Sequence, residues 1–228
     1  MQLSSTIFRL LFFKLNKAHL LQLNNTHLFA GILGTWLVGI GRYWDDEKAS
    51  LLQNLGLGSV IYIFLLAAFI WIIVLPFQIE NWAYKIVLTF IALTSFPAIF
   101  YAIPVEKFFT IQTANTINVW FLAVVAAWRL CLLFSFLKQF TRLSLGNIIT
   151  ITFMPICLII SVLTILNLHK VVFSIMGGIR NPGPHDSSYF VLMFLTGISL
   201  LLILPLIGAY ITGIYNRKKE IKRQQINK

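Results

Sequence analysis

The chain has 228 residues, of which 58% are apolar and 11% charged, against about 25% charged in soluble domains. A soluble chain of this length leaves roughly a quarter of its surface in water, so a mean hydropathy of +0.84 calls for lipid as a second solvent. An ordinary cytosolic enzyme and a disordered chain are both excluded, and Cys131 and Cys157 lie in apolar stretches that offer no disulfide framework.

Residues 1–26 carry Ile7, Leu11, Leu15 and Ala18 at helical spacing beside Arg9, Asn16 and Lys17. That pattern predicts an amphipathic helix lying on the inner membrane interface. Lys14 and Lys17 interrupt the apolar run and no small-residue cleavage site follows, which does not suit a signal peptide. Asn24-Asn25-Thr26 matches a glycosylation sequon, but it falls on the predicted cytoplasmic side and is discounted.

Residues 27–215 are expected to form an all-α membrane domain, because a spanning helix needs about 20 apolar residues to cross roughly 30 Å of hydrocarbon. The first candidate, Leu28 to Trp44, is weak: it is short, glycine-rich, and reaches spanning length only by counting Arg42, so a re-entrant hairpin is the alternative. Its glycines suit close helix packing, with Ala30 and Gly34 as a small-xxx-small pair. The string that follows, Gly41 to Glu47, ends in Asp45, Asp46 and Glu47. Adjacent carboxylates point in different directions and no histidine stands nearby, so capping of a short helix and interfacial anchoring by Tyr43 and Trp44 are expected rather than a metal site.

Gly58 to Phe77 is a clean second span, and Trp82 to Ile103 a third, with Lys85 at its edge and Pro97 inside. Pro97 should free the carbonyl of Leu93, with Thr94 and Ser95 placed to satisfy it. The fourth span, Ile117 to Leu137, holds Arg129 deep in the apolar run, where an unpaired cation costs a few kcal/mol or more. It either serves a function or snorkels toward Leu137. Asn118, three turns earlier on the same face, extends it into an inward polar stripe.

In the fifth span, Ile148 to Leu168, Thr150, Cys157, Ser161 and Thr164 align along one face as a stripe of small, weakly polar side chains, and Pro155 interrupts the helix. Such stripes usually join helices, and the alternative is a water or substrate path. The loop Met176 to Asp186, a run of turns containing Arg180 and His185, is expected to be a connector. Tyr189 to Tyr215 is the sixth span, with Pro205 inside; Pro97, Pro155 and Pro205 are candidate kink or gating points. The tail, residues 216–228, is basic, and Arg217, Lys218, Lys219, Lys222 and Arg223 suit both orientation and anionic lipid.

With six spans both termini share one side, which collects thirteen Lys and Arg against Glu80 and Glu220, while cations and acids balance on the other. The positive-inside rule therefore predicts a six-helix bundle of the cell membrane with cytoplasmic termini. The cations are dispersed over loops and tail, so nucleic acid is not an expected partner; the bilayer is, with a membrane-protein partner or a second copy as a further option.

Motifs for metal-assisted, nucleophilic or nucleotide chemistry are missing, and no acid stands inside a span. No cofactor or metal is expected. The sequence favours an accessory, assembly or membrane-organising subunit. A small transporter or channel built around Arg129, Asn118 and the fifth-span stripe is the alternative, and an enzyme using Asp45, Asp46 or His185 a weaker one.

Overall fold

The computed structural model describes residues 3–44, 49–168 and 187–226, all helix and connecting turns, with no strand among the described residues. The loop Met176 to Asp186 and the acids Asp45, Asp46 and Glu47 lie outside the described residues.

The single interfacial helix expected near the N-terminus is broken in two, α1 (Leu3–Leu11) and α2 (Lys17–Leu21). Phe13 turns the chain in the left-handed region, at φ 60°, and Asn16 then caps α2 by accepting the His19 N–H at 2.9 Å. The predicted apolar face is buried in part: Leu15 is buried, Ile7 and Leu11 are half-buried against the core, and Ala18 is exposed. Thr6, Leu10, Leu15 and Leu20 are buried, and the three leucines join Phe90, Leu132 and Phe136 in the core. The segment therefore docks on protein, and the Trp128 indole N–H donates to the Leu11 carbonyl at 3.1 Å.

α3 (Asn25–Gly41) starts at Asn24, whose side chain accepts the Thr26 and His27 N–H groups at 3.1 and 3.2 Å. The sequon asparagine is thus a helix cap. His27 is buried and its Nε2 lies 3.1 Å from Thr6 Oγ1, which ties α3 to α1. α4 (Leu51–Asn54) begins at Ser50, whose N–H and hydroxyl both meet Gln53 Oε1, at 2.8 and 2.9 Å. Its cap is Ser50, not Asp45 or Asp46.

α5 (Leu57–Val74) runs into a 3-10 turn at Leu75–Phe77, started by Pro76. α6 (Tyr84–Leu93) is only 10 residues long, which corrects the continuous third span. Pro97 lies beyond its end, in a 3-10 stretch Phe96–Ala102. The physical reason is local: Thr94 Oγ1 and Ser95 Oγ both turn back onto the Ile91 carbonyl, at 2.8 and 3.4 Å, and Pro97 has no N–H to continue the ladder. Ten α residues and seven 3-10 residues still add up to about 29 Å, enough for the hydrocarbon.

α7 (Ile111–Thr141) has 31 residues, starts at the Thr110 cap, and ends where Arg142 enters the left-handed region. α8 (Leu145–Ile165) starts at the Ser144 cap and carries Pro155 inside. α9 (Ser187–Ile226) has 40 residues with Pro205 inside, so the basic tail expected after Tyr215 continues the last helix.

Five helical stretches among the described residues are long and apolar enough to cross a membrane: Leu57–Phe77, Tyr84–Lys107, Ile111–Thr141, Leu145–Ile165 and Phe190–Ile226. α3, at 17 residues, falls just short of an 18-residue window. α6 is the central helix, with every residue from Val87 to Leu93 buried. α3 and α5 pack on it and on each other. Phe136 of α7 stacks on Phe90 with ring centres 4.1 Å apart. α8 and α9 pair with each other, leaving α9 at the periphery.

Candidate functional site

Arg129 stands on α7, and helix geometry tilts its Cα–Cβ bond toward the N-terminal end of that helix. Its guanidinium carbon lies 5.8 Å from the ring centre of Tyr62, on α5. The side chain thus leans toward the end of the bundle where α5 and α7 begin, opposite to the snorkelling expected toward Leu137. Its Nη2 is sealed from solvent and has no hydrogen-bond partner.

Arg42, which caps the C-terminus of α3, places its guanidinium 4.9 Å over Tyr101 and 5.5 Å from the ring of Tyr43. Tyr101 belongs to the 3-10 stretch that interrupts the third span. Two cation–ring pairs, Arg129 with Tyr62 and Arg42 with Tyr101, are thus drawn from four separate elements.

The balance at this cluster is unequal. Ring faces attract a guanidinium by about 0.5–2 kcal/mol, whereas a buried charged donor with no acceptor loses about 1–3 kcal/mol or more. An acceptor of negative charge would improve the site. Chemically it can hold an anion.

Asn118 does not extend this cluster. Its side chain donates to Glu106 Oε1 at 2.8 Å, and it fastens α7 to the preceding turn Val105–Lys107. Beside it Lys107 sits 4.5 Å over Trp44, whose indole donates to the Ala102 carbonyl at 3.0 Å. The polar stripe expected on the fourth span is two separate features.

On α8, Thr150 and Thr164 donate to the carbonyls of Gly146 and Ile160, at 2.9 and 2.8 Å. Cys157 and Ser161 are buried, and Ser161 Oγ has no hydrogen-bond partner. Asn147, one turn before Thr150 on the same face, packs so closely on α9 that a Cβ at Gly213 would overlap its amide. The start of α8 thus meets the last helix at Asn147. Pro155 is buried in α8, while Pro205 lies on the exposed side of α9.

In the tail, Arg217 is engaged: its Nε donates to the Phe77 carbonyl at 3.4 Å and its Nη1 pairs with Glu220 at 3.4 Å. Lys218, Lys219, Lys222 and Arg223 are exposed. Among the described residues no group of histidines, cysteines and acids could hold a metal ion. Comparison with protein-family models, with curated proteins and with solved structures finds no match to this chain.

Proposed function

We propose that the chain is a multi-pass protein of the cell membrane, with six crossings and both termini cytoplasmic, that works as an accessory, assembly or membrane-organising subunit. One observation carries this reading: Asn118 and several threonines of the spans are engaged within the protein, with Arg129 Nη2 and Ser161 Oγ as exceptions. Thr150, Thr164, Thr35 and Thr89 donate to carbonyls of their own helices, within 2.9 Å. Asn118 holds Glu106, and of the glycines of α3 Gly31 meets α6, Gly34 and Gly41 the 3-10 stretch after it, and Gly39 the start of α5. A transport path would need such groups free toward water or substrate. The long peripheral α9, largely exposed to its surroundings, supplies the surface that a scaffolding role requires.

Purification in mild detergent should yield a membrane protein at fixed stoichiometry that survives size exclusion. Reconstituted vesicles should pass protons and chloride no faster than protein-free ones. A conductance abolished by Arg129→Leu would overturn the reading in favour of a small channel or transporter, the alternative that the bare Arg129 Nη2 supports.

A further inference from the structure

We propose that Arg129 and Arg42, with the rings of Tyr62 and Tyr101, form a binding site for the phosphate of an anionic lipid headgroup, in the leaflet at the Trp44 end of the bundle. The first argument is the unmet donor. Among the described residues Arg129 Nη2 is buried without an acceptor, and the side chain makes no ion pair. A guanidinium fork matches phosphate oxygens in pairs, and the low dielectric strengthens each contact.

The second argument is depth. Tyr62 lies five residues beyond Leu57, where α5 begins, which is about 7.5 Å along the helix. Arg42 caps α3 at the same end, and Tyr43, Trp44 and Lys107 form an aromatic and cationic rim there. A headgroup phosphate drawn inward at this end can meet a guanidinium that reaches outward. The third argument is access. Tyr62 is 42% exposed, and Ile61 and Leu65 beside it are 55% and 66% exposed. That face of α5 is apolar, so the Tyr62 side of the cluster borders lipid, and a phosphate reaches the sealed Arg129 Nη2 by moving the Tyr62 ring aside.

The test uses the full chain with Lys218, Lys219, Lys222 and Arg223 changed to Gln, which removes the tail's own attraction for anionic lipid while Arg217 keeps its contact with Phe77. Native mass spectrometry after delipidation compares added phosphatidylglycerol with phosphatidylcholine. Phosphatidylglycerol should be retained selectively, and Arg129→Leu should weaken retention roughly tenfold or more, the scale of a lost charge-assisted contact. Arg129→Lys, which keeps the charge but not the fork, should fall between; it also serves should the leucine variant fail to fold. Equal retention by the folded Arg129 variants overturns the proposal. So does displacement of the lipid by inorganic phosphate, which would mark a soluble-anion site. Selective retention that appears only after Asp45→Asn and Asp46→Asn also overturns it, because those acids would then be the guanidinium partners.

Discussion

At the residue scale, close backbone approach decides which small side chains are indispensable. Gly31 faces the middle of the third span: a Cβ there would lie 2.8 Å from Ala92 Cβ and 3.1 Å from the neighbouring backbone. Backbone cannot swing away, so Gly31→Ala should cost about 1–3 kcal/mol by overpacking. Gly58, also helical, has nothing within 4 Å of the point where a methyl group would stand; Gly58→Ala should be neutral or stabilising by up to about 1 kcal/mol. Thermal unfolding in one detergent, with both variants side by side, checks the contrast. An equal loss at both positions would mean that α3 does not lie against α6. The glycine content of this span announces close packing in the sequence, but not which faces meet. Gly31 and Gly34 approach Ala92 and Phe96, whereas the expected pair assigned that role to Ala30. Arg129 was legible for a different reason, because a lone cation in an apolar run is expensive wherever it points. Its companions were not. Tyr62, Tyr101 and Arg42 look like ordinary belt residues until four elements are brought together.

At the element scale, a helix ending in lipid must find partners for its last carbonyls, and α5 finds them in side chains far along the chain. Trp82 Nε1 donates to the Trp71 carbonyl at 3.1 Å, and the Tyr210 hydroxyl to that of Ile73 at 2.7 Å. Arg217 reaches Phe77 one turn later. The last two belong to α9, so these bonds also pin an otherwise peripheral helix to the bundle. Tyr210→Phe keeps the ring contact with Phe77, whose centre is 5.7 Å away, and removes only the hydroxyl. It should cost about 1–3 kcal/mol, because the Ile73 carbonyl is left without that donor. Protease cleavage within α9 should quicken in the variant; an unchanged rate would mean that the α8 contact alone holds the helix. Periodicity and length made the apolar stretches readable, since hydrocarbon thickness fixes how long each must be. The shortening of α6 is only half visible: Pro97 is in plain view, but the two hydroxyls that turn back onto the Ile91 carbonyl read in the sequence as mending a continuous helix.

At the scale of the whole molecule, whether α3 crosses fixes which side holds the N-terminus. A helix of 17 residues spans about 25 Å, at the short limit for hydrocarbon. Two features lengthen its reach. Arg42 at its C-terminal end lies over Tyr101, where a guanidinium can meet headgroups. At the other end His27 and Asn24 join it to the docked N-terminal segment. If it crosses, the cation-rich side collects both termini, as the positive-inside rule demands; if it is re-entrant, the basic N-terminal segment lies opposite the basic tail. Single cysteines in a background freed of Cys131 and Cys157 separate these cases. A cysteine at Ser50 should react with an impermeant maleimide from outside the cell, as should one at Ser187. One at Ser144, the cap of α8, should react only after permeabilisation. The decisive position is Ser4, in α1 and exposed: six crossings require it to behave like Ser144, whereas labelling from outside would leave α3 as a hairpin and reduce the spans to five.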